Sequence, residues 1–235
     1  MPFYYYFDPT YFLVLIGAVI CLLASARVKS TFHKYSKMRN VSGMTGAQAA
    51  EQVLHGAGIF DVRIEHVSGN LTDHYDPKNK VLRLSDSVYG QSSVAAVGVA
   101  AHECGHAIQH AKGYAPLQFR SALVPVANFG SMIAWPLILL GLLFNSQSSY
   151  LLIQIGILAF SAAVLFQLVT LPVEFNASNR AVRILADTGM MQGEEIQAAK
   201  KVLSAAALTY VASAAASILQ LLRLILLTGG RRRND

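Results

Sequence analysis

The sequence predicts an α+β membrane protein, in which a small domain with a short antiparallel sheet accompanies three or four transmembrane helices. Three observations carry this prediction. Hydrophobic residues make up 54% of the 235-residue chain and charged residues only 14%, against roughly 25% charged in a soluble domain. The apolar residues are gathered into blocks long enough to cross a bilayer. One stretch, 27–124, keeps the alternating and amphipathic patterns of a soluble fold.

Taken in order, residues 1–26 read as an N-terminal transmembrane anchor. The apolar block Thr10 to Ala26 has Tyr4, Tyr5, Tyr6 and Tyr11 as an aromatic belt at one end, and Arg27, Lys29, Lys34, Lys37 and Arg39 at the other. Basic residues stay on the cytoplasmic side of a span, so the region that follows is expected there. The run lacks the positively charged start of a cleaved signal and is read as retained.

Residues 27–124 form the expected cytoplasmic domain. "TGAQAAEQVLHGAGI" predicts a helix capped at Thr45 and stopped near Gly56 or Gly58, with Ala49, Ala50 and Val53 inward. "VRIEHVS" and "KVLRLSD" alternate as strands do, with "YDPKNK" as the turn into the second. "SSVAAVGVAAHECGHAIQHA" is a long helix capped by Ser92 or Ser93.

Two further apolar blocks, Pro125 to Phe144 and Tyr150 to Leu171, are joined by the uncharged "NSQSS" and predict a transmembrane hairpin over 125–171. Lys112 and Arg120 precede it and Arg180 and Arg183 follow, so both outer ends belong on the cytoplasmic side. Pro172 marks the end of the block or a kink, and 172–200 then starts a new helical stretch at Glu174. Residues 201–235 form a C-terminal helix that either makes a fourth span or packs on the domain, since Arg223 lies within it.

The net charge of +6 comes without a basic stripe interleaved with aromatics, so nucleic acid is not an expected partner. The expected partners are the lipid bilayer and peptide or membrane-protein substrates. Cys21 and Cys104 make no disulfide framework.

The chemistry is concentrated in "HECGH", residues 102–106. Chance would place such a pentad in roughly one random chain of this size in a hundred. On a helix, His102 and His106 project from one face and can share one zinc ion, while Glu103 is placed to act on water without binding the metal. Glu103 would take a proton from the attacking water and deliver it to the leaving amine. Cys104 points roughly 200° around the helix from His102 and His110 lies two turns on, so neither joins the same tetrahedral ion.

A third ligand must come from elsewhere. A histidine following a glycine turn is excluded, because those two positions hold Gln109 and Lys112. A glutamate from a separate helix is the other solution, and "LPVEFNASNRAVRILAD" offers Glu174. Two crossings return the chain to the side it left, which puts Glu174 on the same face of the membrane as the pentad.

These segments together resemble a known family. "VKSTFHKYSKMRNVSGMTGAQAA", "LTDHYDPKNKVLRLSDSVY", "AAHECGHAIQHAKGYAPLQFRSALVPVAN" and "TLPVEFNASNRAVRIL" are similar to bacterial neutral zinc metallopeptidases of the YugP type. The resemblance implies His102 and His106 as ligands, Glu103 as acid/base and Glu174 as third ligand of one Zn2+. A wider likeness to membrane-embedded gluzincins implies an aspartate four residues after the third ligand; here that place is Ser178, a hydroxyl in place of a carboxylate.

The expected function is therefore a membrane-bound zinc metalloendopeptidase, gluzincin-like, with a zincin-like domain at the cytoplasmic face of the cell membrane. Its rival is a catalytically silent zinc-binding scaffold or adaptor. "KNKVLRLSD" is the expected edge strand for an extended substrate. Tyr210 and His74 are the candidate oxyanion donors.

Overall fold

The structure is a computed structural model that describes residues 8–144 and 147–229. Tyr4, Tyr5 and Tyr6 of the expected aromatic belt, Arg231 to Arg233, and Asn145 and Ser146 of the hairpin connector lie outside the described residues.

The chain is mostly helical. In order it forms α1 (Tyr11–Tyr35), α2 (Gly46–Gly56), β1 (Arg63–Val67), β2 (His74–Asp76), β3 (Val81–Ser85), α3 (Val94–Ala111), α4 (Ala115–Leu143), α5 (Gln147–Asp187) and α6 (Glu194–Gly229). Four of these, α1, α4, α5 and α6, are long and apolar enough to cross a membrane. The chain divides into two compact units, each built from separated segments.

The first unit comprises Met1–Ala24, Phe119–Thr170 and Tyr210–Asp235. Its large apolar side chains are turned outward: Leu22, Leu142, Leu158 and Leu226 are all exposed, as residues facing lipid tails would be. Its helices meet over small residues, the usual solution where there is no water to drive association. A Cβ on Gly130 would lie 2.5 Å from the Ala159 carbonyl oxygen, and one on Gly17 3.2 Å from Ala216. Arg223, the charge inside the last apolar run, lies 3.3 Å from Asp8 Oδ2 and 4.1 Å from the centre of the Tyr11 ring.

The second unit comprises Ser25–Gln118 and Leu171–Thr209. Its helix α2 starts at Thr45, whose hydroxyl accepts from Gln48 N while Gln48 Oε1 accepts from Thr45 N, a capping box of the kind that satisfies two otherwise orphaned amides. Ser93 caps α3 by accepting from Ala96 N. The run "VAAVGVAA" that opens α3 is small enough to be surrounded on nearly every side, and it forms one core with α2, β3 and residues of α5 and α6 such as Leu185 and Leu203.

The sheet differs from expectation in two ways. Its order is β1-β3-β2, with β1 parallel and β2 antiparallel to β3, so it is mixed rather than wholly antiparallel. The predicted edge strand is therefore the central one. β3 is paired along both sides and buried on both faces at Val81, Leu82, Leu84 and Ser85, which alternation alone does not distinguish from an edge. The extra strand β2 takes Tyr75 and Asp76 out of the expected turn. Asp76 then closes that turn by accepting from Lys78 N and Asn79 N, and its hydrogen bonds, those from Asn79 foremost, hold its carboxyl down at about 2.

Pro172 neither ends nor restarts a helix. α5 runs unbroken from Gln147 to Asp187 with Pro172 inside it, so Glu174 lies within a continuous helix rather than starting a new one. Proline is tolerated in this way in membrane helices, where neighbouring groups take up the freed carbonyl.

Candidate metal centre

Helix α3 carries His102 and His106 on one face, as their four-residue spacing dictates. Their rings lie 4.8 Å apart, nearly perpendicular at 86°. Against them stands Glu174 from α5, which is 2% exposed. Its Oε2 is 3.4 Å from His102 Nε2 and 3.5 Å from His106 Nε2. The three ligand atoms all fall within 4.8 Å of one another.

The crossing of the two helices is made possible by Gly105. A Cβ there would lie 2.7 Å from the carbonyl oxygen of Ala177 and 3.1 Å from its Cα, so any larger residue would hold α5 away. Ala177 stands one turn after Glu174 and directly before Ser178. The glycine inside the pentad thus sets how closely the carboxylate approaches the imidazoles.

Both imidazoles are fixed through their other nitrogen. Ser178 Oγ lies 3.1 Å from His102 Nδ1. Gln109 Oε1 lies 3.0 Å from His106 Nδ1, and Gln109 Nε2 donates to Val173 O at 2.8 Å and to Asn176 Oδ1 at 3.0 Å. Since both amide hydrogens of Gln109 are committed, its oxygen must face the ring, and His106 Nδ1 must carry a proton. In the neutral imidazole that leaves the lone pair on Nε2, pointing at the cluster.

Gln109 is wholly buried and spans α3 to α5, so the same side chain orients a ring and ties its helix to the one bearing Glu174. In the sequence this position served only to exclude another ligand pattern. Asn176 also accepts from Arg180 Nε at 2.7 Å, and the Arg180 guanidinium lies 5.8 Å from the Tyr114 ring.

Glu103 is 8% exposed. Burial opposes a charge on His106, but the Glu174 carboxylate and the nearby charge of Glu103 outweigh it and raise its imidazole above the ordinary 6.5. Cys104 faces α2, with no exposure, and donates to Ala50 O at 3.5 Å; burial pushes its thiol well above the usual range. His110 is 2.9 Å from the Tyr75 hydroxyl.

Of the two candidate oxyanion donors, His74 has both ring nitrogens engaged elsewhere. Exposed on β2, it has its Nδ1 2.9 Å from Thr72 O and its Nε2 3.4 Å from Arg83. Tyr210 belongs to the first unit, where it is half-buried on α6.

The donor set fits a single tetrahedral zinc ion. Ligand atoms at about 2.0–2.2 Å from such an ion stand roughly 3.3–3.6 Å apart, the separation found between Glu174 Oε2 and each Nε2, and all three ligand atoms lie within 4.8 Å of one another. Two neutral nitrogens and a carboxylate leave a fourth position open, as hydrolytic zinc sites require.

This arrangement, two histidines of a His-Glu-x-x-His helix facing a glutamate of another, has the ligand types of a zinc-peptidase site. Residues 10–229 match the family described as "Putative neutral zinc metallopeptidase", and the chain belongs to it. Among curated proteins it is similar to the "Putative membrane protease YugP" of Bacillus subtilis (strain 168), with 48% identity over 224 residues, covering 95% of this chain and 98% of that one. No solved structure matches.

Proposed function

We propose that the chain is a membrane-bound zinc metalloendopeptidase that hydrolyses peptide bonds at the cytoplasmic face of the cell membrane. The observation that supports this best is the convergence of His102, His106 and Glu174 with both imidazole Nδ1 atoms already engaged. These three residues would hold Zn2+, which when bound makes water acidic near neutral pH and polarises a peptide carbonyl.

The chain's own groups do the rest. Glu103 takes the proton of the attacking water and passes it to the leaving amine. Gln109 and Ser178 hold the two rings in register, so that no reorganisation accompanies the reaction. With β3 paired on both sides, backbone pairing to an extended substrate falls to a neighbouring strand, and β2, packed against α3, is the better placed. Loops and tails of membrane proteins are substrates of the required form.

The cytoplasmic assignment is supported by the basic cluster after the apolar run of α1, and two crossings by α4 and α5 would return Glu174 to the pentad's side. The test is Glu103→Gln beside Glu174→Ala. The first should lose peptide hydrolysis by at least about a hundredfold while keeping one zinc per chain; the second should lose the zinc. Hydrolysis undiminished in Glu103→Gln would overturn the mechanism, and a wild type that binds zinc without cleaving any peptide would mark a scaffold.

A further inference from the structure

Away from the metal cluster, the second unit has an open cavity of ≈ 530 Å³ lined by Arg27 and Lys34 of α1 and by Lys200 and Lys201 of α6. The spacing explains why they meet. Arg27, Ser30, Thr31 and Lys34 occupy one face of α1, and Gln197, Lys200, Lys201 and Ser204 one face of α6, both at intervals of three and four. Two helix faces, each presenting two cations and its hydroxyls, are turned into the same space.

No carboxylate lines it. Among the described residues none of the four cations is in an ion pair with an acid, although Arg63, Lys80, Arg83 and Arg223 all are. Like charges gathered in one concavity repel one another and favour an anionic occupant.

The position of the four along their helices indicates which anion. Arg27 is the first charge after the apolar run of α1, and Lys201 the last before the apolar run of α6, which continues uncharged to Arg223. Cations at the ends of two membrane-length runs stand at headgroup depth. Leu208, 42% exposed, lines the same cavity farther along the apolar run of α6, where an acyl chain would lie.

We propose that this cavity binds the phosphate headgroup of an anionic glycerophospholipid. The proposal rests on reading α1 and α6 as membrane spans, but not on zinc or on catalysis. The hydroxyls of Ser30, Thr31 and Ser204 donate to phosphate oxygens, the four cations attract its negative charge, and the acyl chains follow α6.

The test uses the full chain in neutral detergent, titrated with phosphatidylglycerol, with phosphatidylcholine and with inorganic phosphate, and read by native mass spectrometry. Phosphatidylglycerol should bind at least about tenfold more tightly than phosphatidylcholine. Each cation near an anionic lipid changes affinity about fivefold, so K200Q/K201Q should weaken phosphatidylglycerol binding by roughly 25-fold. K200R/K201R should restore it, and R63Q/K78Q, on β1 and the β2–β3 turn, should leave it unchanged. R27Q/K34Q reads the same site from α1 should the α6 pair not fold.

Equal retention of the two lipids, or phosphatidylglycerol affinity indifferent to all four cations, would overturn the proposal. So would inorganic phosphate binding with the same lysine dependence and no preference between lipids, which would assign the cavity to a soluble anion. Because no arm measures hydrolysis or zinc, a lipid preference found without peptidase activity would sink the enzymatic reading alone.

Discussion

Replacing Gly105 with alanine tests how the metal cluster is assembled. In a helix interior this change ordinarily stabilises by about 1 kcal/mol, because glycine loses the most freedom on folding. Here the new Cβ would lie 2.7 Å from Ala177 O, where ordinary contact begins at 3.4 Å, and the opposing atoms are backbone, unable to rotate aside. Relief requires α3 and α5 to separate by about 0.7 Å.

Overpacking of this kind costs roughly 1–3 kcal/mol, so the propensity gain offsets part of it and the metal-free protein should lose only about 0–2 kcal/mol. The metal should be far more sensitive. Zinc–ligand distances tolerate about 0.2 Å, and the carboxylate at Glu174 would be carried off with Ala177. We expect zinc affinity to fall on the order of ten- to a hundredfold, measured by chelator competition, with thermal melting of the metal-free protein reporting the fold separately.

Gly98→Ala is the internal control. It lies on the same helix, yet its Cβ would meet Ala199 Cβ at an ordinary 3.5 Å, so zinc affinity should be unchanged. A Gly105→Ala protein that binds zinc as tightly as wild type would refute the claim that this crossing sets the site.

Other perturbations probe the same cluster. Gln109→Leu removes the acceptor for His106 Nδ1 and the donor to Val173 O, while Asn176 Oδ1 keeps Arg180 Nε; stability should fall by about 1–3 kcal/mol and zinc affinity by roughly ten- to a hundredfold, and unchanged affinity would mean the ring needs no such support. Ser178→Ala should weaken zinc by up to about tenfold, while Ser178→Asp should match or exceed the wild type in chelator competition. In the metal-free protein the raised value of His106 contributes stability that is fully present below pH 6.5 and lost as pH rises through the folded value. Zinc binding needs the neutral ring, so its affinity should be flat above that value and fall by up to about tenfold per pH unit below it; affinity independent of pH between about 5.5 and 7.5 would contradict the assignment of His106.

Local signals were readable from the sequence where the physics is local. Thr45 and Gln48 stand three apart, and a capping box follows without reference to the rest of the chain. His102 and His106 stand four apart, and a shared helix face follows. Glu174 follows from the exclusion of a third histidine at Gln109 and Lys112 and from its place directly after an even number of apolar runs. Gln109 gives no such signal, because its partners are 64 and 67 residues away and glutamine is unremarkable on a helix. Gly105 is equally silent: a glycine among "VGVAAHECGH" reads as a mild helix weakness until the backbone of α5 is placed against it. The sheet was misread for a related reason. The three residues of β2 are too few to show a period, and without them β3 has only one neighbour and reads as an edge.

The departure at Ser178 has a consistent electrostatic reading. A zinc ion brings two positive charges into a site where Glu174 is 2% and Glu103 8% exposed, so the two carboxylates already balance it. A third carboxylate at position 178 would leave one negative charge in excess, and an excess charge is costly where water is scarce. A serine hydroxyl can accept from His102 Nδ1 without adding charge, which would keep the lone pair on Nε2 at the expense of some of its basicity. Gln109 pins the second imidazole and Gly105 lets Glu174 come close. The Ser178→Asp variant should still bind zinc tightly, because the added carboxylate attracts the cation, yet move the acidic limb of the pH–rate profile to higher pH, because the same negative charge favours the protonated forms of its neighbours. A limb that stays in place would show that charge balance does not distinguish the two side chains here.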